Sequence, residues 1–575
     1  MSLRAVVSAA LVACLFVSPA PAQVDEALKA VPSDAVGLVI INQVSDVNAK
    51  LKTLATKIGA PPMDALDLVK SQLAIEKGLN EKGTVVGAFF ADKDKPQDDA
   101  GLLLFIPVSD YEDFIGQFEP KKAKGKIREI TIAGEKSLVV QKGTFAVIAE
   151  GKKRSRKYLN NVLEATQSIA DEVKPLRTWL GNNDFSMVIT TNGIRTLAKA
   201  MREGIKEGKE ELQPTGNPEL DKLQKMMMRW VDDLDAFLKT PEKEITHVAA
   251  GAKLNAKTSD LILDAKVFFA EGGNLAKFAG ELKVPEGGLF AGVPGGDFVF
   301  AGGAYIPGKT YGLFADWMVG LLKGIDDKEV QEAVKALEAA KPLMTDLRSS
   351  SFVWGVNKPD TPIFSNTFGV ATTTDAEKYL DNYAKSLEQL NKLAKESEGP
   401  EYQFSRAKVA GKPALVVVMD LSDTFNVVPD PNFKRIIEAL VGKGGKMTAT
   451  IVAVNKTNIV FGYVTPKEME KHLKAGKGEF SQDAQVAKTD ALLPKGSQLA
   501  VYVSPAGLAK FSTAIVKQFM PLDFPDFPKS PPLAWTVKVS RTGCETRFVL
   551  PGETMTAIGV YIGKLQAKFG GANIN

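Results

Sequence analysis

Residues 36–58 read VGLVIINQVSDVNAKLKTLATKI: an apolar, β-branched run to Ile41, a polar turn at Asn42-Gln43, then Leu51, Leu54, Ala55 and Ile58 at the helical period. Val31-Pro32-Ser33-Asp34 precedes it as a turn cluster. The same sentence is written three more times. FSMVITTNGIRTLAKAMREGI (185–205) follows Gly181-Asn182-Asn183-Asp184. FVFAGGAYIPGKTYGLFADWMVGLL (298–322) follows Val293-Pro294-Gly295-Gly296-Asp297, and SQLAVYVSPAGLAKFSTAIVKQF (497–519) follows Leu493-Pro494-Lys495-Gly496. Each predicts a strand, a turn and an amphipathic helix.

The intervening segments also correspond. After the first unit, strands are expected at 84–90, 101–108, 127–132, 137–140 and 144–149, then a helix at 155–165. After the third they are expected at 352–356, 363–371, 402–409, 414–419, 447–454 and 459–463, then a helix opening at Thr465-Pro466-Lys467-Glu468. The second and fourth units each lead into a strand pair and a helix. The expectation is an α+β protein of two homologous halves, 23–288 and 289–575, each an antiparallel sheet with helices packed on one face, after a leader at 1–22. Charged helical insertions are expected at 203–243 and 325–347. The proline-rich 523–532 reads as a surface loop anchored by Phe524 and Phe527.

Composition narrows the chemistry. With 575 residues, 45% hydrophobic and 24% charged, the chain has the makings of a large core. Seventy-two Lys and Arg against 68 Asp and Glu leave +4, no global field that would select nucleic acid. Two histidines and two cysteines are too few for most zinc, haem, iron–sulfur or Cys/His-nucleophile chemistry, so no cofactor, metal or catalytic residue is assigned. Arg4, the apolar 5–17 and Ala20-Pro21-Ala22 form a Sec signal with cleavage after Ala22, which implies a periplasmic or extracellular protein. Leu11-Val12-Ala13-Cys14 is the rival, a lipobox with an acylated Cys14, although the apolar run continues past it. No later segment reads as a membrane span, and Cys544 in the mature chain is a small strand residue.

Gly303-Ala304-Tyr305-Ile306-Pro307-Gly308-Lys309-Thr310 matches the phosphate-loop pattern, and 415–420 (LVVVMD) resembles a Walker B strand ending in Asp420. Gly303, Gly308, Lys309 and Thr310 are therefore a weak nucleotide site. Tyr-Ile-Pro inside the loop is bulky and lacks an amide, and the sibling turns are not phosphate-like. Basic runs at 121–126 and 152–157 read as solvated ends or as a contact for a polyanion or an anionic lipid. Aromatic interleaving for base stacking is missing. His247 and His472 lack neighbours at metal or triad spacing, and Asp232, Asp233 and Asp235 follow Met226–Trp230 on a charged helix.

The short leader, the Val-Pro-x-Asp opening and the repeated strand–helix units resemble uncharacterised secreted proteins of planctomycete-type bacteria and domain-of-unknown-function families with like openings. The resemblance implies an extracytoplasmic protein and carries over no catalytic residue. The expected function is an exported, non-catalytic binding or structural protein, acting through sheet faces or a groove, whose partner is a protein, a lipid or a polyanion. The alternatives are a secreted carboxylate-dependent hydrolase and a P-loop nucleotide binder. A pocket with converging acids would favour the hydrolase, and an apolar groove between helix and sheet a lipid or peptide binder.

Overall fold

The computed structural model describes residues 21–569 except 62–63, 92–100, 122–124, 212–227, 229–237, 283–287, 306, 324–327, 357–361, 397–401, 421–437, 439–441, 476–478 and 520–521. The leader to residue 20 and the Asp232, Asp233 and Asp235 cluster lie outside the described residues. The chain forms two compact units. The first is the chain up to Ala279 with Ser540–Gly559, and the second is Gly280–Val539 with the chain from Val560.

In the first unit the elements are α1 (Pro21–Ala30), β1 (Gly37–Ile41), α2 (Val44–Lys57), α3 (Ala65–Leu73), β2 (Val85–Phe90), β3 (Gly101–Pro107), α4 (Tyr111–Gly116), β4 (Arg128–Ile132), β5 (Glu135–Lys142) and β6 (Phe145–Glu150). They continue with α5 (Lys153–Glu164), α6 (Arg177–Asn182), β7 (Phe185–Ile189), α7 (Thr191–Glu211), β8 (Ile245–Leu254), β9 (Leu261–Phe269) and α8 (Asn274–Glu281). The second unit holds β10 (Phe298–Tyr305), α9 (Gly308–Leu322), α10 (Lys328–Asp346), β11 (Leu347–Gly355), β12 (Thr367–Thr373), α11 (Ala376–Glu396), β13 (Tyr402–Val409), β14 (Lys412–Asp420), β15 (Lys446–Ala453) and β16 (Asn458–Gly462). After α12 (Pro466–Ala475), α13 (Ala484–Asp490), β17 (Leu499–Val503), α14 (Pro505–Phe519) and β18 (Leu533–Ser540), the chain returns to the first unit with β19 (Gly543–Leu550) and the start of α15 (Gly552–Phe569).

All four expected strand–turn–helix units are present: β1–α2, β7–α7, β10–α9 and β17–α14. Among the described residues the first sheet runs β19-β9-β8-β7-β1-β2-β3-β6-β5-β4 and the second β18-β17-β10-β11-β12-β16-β15-β14-β13, every pair antiparallel. With β13 set aside as an added edge strand, β1 to β8 and β10 to β18 follow the same chain order and the same order across the sheet. The class is α+β.

Helices cover more than the single face expected. On β3, Leu103 and Phe105 enter a core with Val24 and Leu28 of α1, Leu159 and Val162 of α5 and Leu180 of α6. Leu104 and Ile106, which alternate with them, meet Phe114 and Ile115 of α4 on the opposite face. In the second unit Ile451 and Ala453 pack under α11 and Val452 on the α12 side. α11 forms because Ala376, Leu380, Ala384 and Leu387 recur at helical spacing and the Asp375 carboxylate accepts from the Lys378 amide. Phe524 and Phe527 do anchor their loop, at 5.6 Å from Phe569 and 4.9 Å from Tyr561 between ring centres.

At α7 and α14 the helix start is locked in the same way. Thr190 and Ser504 hydroxyls accept from the amides of Gly193 and Gly507, three residues on. Those glycines lie against the backbone before or at the start of the neighbouring strand, so a β-carbon there would sit 1.8 Å from the Val36 or the Phe298 carbonyl oxygen.

Candidate functional site

The phosphate-loop match is built into the sheet. Gly303 pairs with Ser351 on one side and Ala500 on the other, and the Tyr305 amide donates to the Gln498 carbonyl. Pro307 has no amide, and the Thr310 amide donates to the Pro307 carbonyl at 2.8 Å. Gly308 is a packing glycine: its φ is not left-handed, and a β-carbon would lie 1.9 Å from the Thr345 carbonyl oxygen of α10. Lys309 points into solvent. Asp420 pairs with Lys446 at 2.9 Å on β14, five strand steps from β10, about 24 Å at ordinary strand spacing. One Mg²⁺ ion cannot join Thr310 to Asp420 over that distance. Lys309→Ala is expected to leave stability within about 0.5 kcal/mol, whereas Gly308→Ala lowers it by more than 1, read by chemical unfolding. α9 turns Gly308, Gly312, Ala315 and Val319 inward and leaves Trp317 49% exposed; the Phe314 and Leu321 side chains lie outside the described residues.

His247, buried on β8, lies 3.8 Å from Glu172, a partner that spacing along the chain had hidden. Glu172 also accepts from the Thr191 amide and so holds the start of α7. Burial lowers the His247 pKa, and the ring meets Phe268 edge-on, the setting of a neutral core histidine. His472 stacks on Phe368 at 4.1 Å. Among the described residues no group of His, Cys, Asp and Glu could hold a metal, and no helix is long and apolar enough to cross a membrane.

A polar node lies buried beside the β1–α2 turn. Asp184 is fully buried; one of its oxygens accepts from the Leu254 amide at 2.6 Å and the other has no hydrogen-bond partner. Burial pushes its pKa up to about 7, opposed by the Leu254 bond and by Lys50, whose Nζ donates to the Leu254 carbonyl at 3.2 Å. Asn42 donates to the carbonyls of Leu180 and Asn183 and accepts from Thr84. This node ties four segments together and opens to no described cavity.

An unusual surface among the described residues is the second face of the first sheet. An antiparallel sheet with one solvated side alternates apolar and polar residues. Here the second side is apolar as well, although on β8 and β9 the first side carries Lys253, Asp264 and Lys266. Directly opposed across six strands are Ala265, Ala250, Met187, Val39, Gly87 and Leu104. The flanking positions Leu263, Phe185, Ile41, Val248, Ile189 and Phe89 are also apolar, and no charged side chain lies on this face of these strands. The face is closed at its ends. Leu51 and Leu54 of α2 pack with Leu254, Leu261 and Leu550, the start of α7 lies against Ile189, and α4 covers the β6 side. Its middle is open, with Met187 42% and Leu263 39% exposed. At the α4 end the face runs into a narrow cavity of about 40 Å³ between Phe114 and Phe118 and Leu104, Ile106, Ile132 and Ile148. That is room for a few waters or the end of an alkyl chain. Glu135 and Ser137 are the polar residues at this cavity, so two acids do not converge there.

The backbone of this row is consumed in strand pairing, and the side chains from Ala265 to Leu104 carry no N–H or O–H groups, so the row offers a guest dispersion and the hydrophobic effect. Sequence reading missed this, though the signal was present: Leu102-Leu103-Leu104-Phe105-Ile106 is continuous rather than alternating, the pattern of a strand covered on both sides. No family model, no curated protein and no solved structure matches this chain.

Proposed function

We propose that the chain is an exported, non-catalytic carrier or sequestering protein for hydrocarbon chains, held on the second face of the first unit's sheet. The observation that carries this reading is the uncharged row from Ala265 to Leu104, half-open at Met187 and Leu263 and leading into the cavity beneath α4. The guest is a lipid chain rather than a peptide. A peptide laid across the face would bury amides that nothing there can satisfy, at roughly 1–3 kcal/mol each, whereas an acyl chain brings none. The leader at 1–22 and the resemblance to secreted proteins support export. The common order of eight strands supports reading the two halves as copies of one ancestral unit.

The test is binding of a fluorescent fatty-acid analogue to delipidated protein. Met187→Glu places a charge on the open floor at a position exposed enough to spare the fold, and it is expected to weaken binding at least tenfold with an unchanged unfolding midpoint. Binding that Met187→Glu and Leu263→Glu both leave intact would remove the proposal. Native mass spectrometry of envelope-purified protein should find the bound amphiphile.

A further inference from the structure

The basic run at 152–157 becomes the start of α5, and its position against the helix dipole is costly. Lys152 occupies the N-cap without a capping bond, Lys153 opens the helix, and no acidic residue lies in the first turn. The fold does not impose this. α12 occupies the same place in the second unit, after the strand that pairs with β12 as β6 pairs with β3, and it opens with a capping box: the Thr465 amide donates to Glu468 at 2.9 Å and the Glu468 amide to the Thr465 hydroxyl at 3.4 Å.

More cations converge on the same edge. The Gly151 amide donates to the Lys136 carbonyl and so fixes the α5 start against β5. Glu129 on β4 is hydrogen-bonded by Lys121 at 2.6 Å, and Lys136 and Arg156 also bear on it, which together hold its carboxyl below the usual range. Glu150 pairs with Lys152 at 2.6 Å. These two carboxylates stand among Lys121, Lys136, Lys152, Lys153 and Arg156. Ser155, Leu159 and Val162 turn inward, leaving Lys153 exposed and Arg156 half-exposed on the outward turn.

We propose that this edge, formed by the start of α5 and the β4–β5 hairpin, is a docking surface for an anionic phospholipid membrane. Charge complementarity selects the partner, and the lack of interleaved aromatic rings leaves no stacking platform for nucleic-acid bases. The surface uses none of the residues on the apolar floor, so it stands whether or not that floor holds a lipid. A carrier needs such a contact to reach the bilayer from which a chain would be drawn.

The experiment is co-sedimentation of the full chain with phosphatidylcholine vesicles containing about one third phosphatidylglycerol. Wild type is expected to bind these, to ignore pure phosphatidylcholine, and to dissociate in about 0.5 M NaCl. Each cation near an anionic surface contributes about fivefold, so the triple variant Lys136→Gln, Lys153→Gln, Arg156→Gln should bind about a hundredfold more weakly. Lys467→Gln, Lys471→Gln, Lys474→Gln on α12 removes the same charge elsewhere and should bind like wild type. Equal losses in both triple variants, undiminished binding in the first, or binding to a soluble polyanion such as polyphosphate without binding to vesicles would each overturn the proposal. Failure of fatty-acid binding with vesicle binding intact would count against the apolar floor alone.

Discussion

Gly193→Ala and Gly507→Ala are each expected to lower stability by about 3 kcal/mol or more, the largest loss from one added methyl group anywhere on α7 or α14. The added carbon would lie 1.8 Å from a backbone carbonyl oxygen, Val36 in one unit and Phe298 in the other. A flexible side chain could move aside; a carbonyl at the edge of the central strand cannot without opening the ladder or lifting the helix off its cap. The same exchange at Gly204, farther along α7, meets nothing within 4 Å and should gain about 0.5–1 kcal/mol from helix propensity. Guanidinium unfolding of the three variants checks the contrast. Similar destabilisation at Gly204 and Gly193 would show that propensity, not close approach, governs these sites.

Asp184→Asn is expected to stabilise the protein strongly above neutral pH and hardly at all in acid. The folded-state pKa of Asp184 is raised from 3.8 to about 7, with burial as the main cause. The folded protein therefore prefers the protonated acid. That preference favours folding fully below the unfolded value near 3.8, declines as pH rises through the window to about 7, and is gone above it. The difference amounts to about 4 kcal/mol at most. Removing the ionisable group should flatten the stability–pH curve between those limits. The second unit supplies a natural comparison. Gln498, at the matching place before β17, donates to the Val539 carbonyl at 3.0 Å and accepts from its amide at 2.7 Å, satisfying the partner strand with a neutral group. Parallel pH profiles for wild type and Asp184→Asn between pH 4 and 8 would show that Asp184 stays ionised in the folded protein.

Local signals made much of the architecture readable. The strand-then-helix order of β1–α2, β7–α7, β10–α9 and β17–α14 follows from runs of β-branched residues ending in a turn and giving way to a 3.6-residue period. Pairing partners were another matter. Asp184 read as a turn residue because Leu254, whose amide it holds, lies 70 positions away. His247 seemed isolated because Glu172 is brought to it only by the fold. The phosphate-loop pattern was misleading for a related reason. Lys309 and Asp420 come in the right chain order, but the order of strands across the sheet separates them. The apolar second face needs register above all, since Met187, Val39 and Gly87 become one row only when β7, β1 and β2 are aligned residue against residue.

β19 enters the first unit's sheet from far down the chain. Arg547 on it grips Asp264 of β9 through two hydrogen bonds, 2.6 and 3.0 Å, between residues 283 positions apart. During synthesis β9 must wait with its outer edge unpaired until that distant strand arrives. The first unit is thus completed only after most of the second has been made, and in the interval its bare edge is a site for pairing with another chain. A protein stopped short of residue 543 would keep that open edge for its lifetime, so the C-terminal stretch guards against edge-to-edge aggregation as well as completing the sheet.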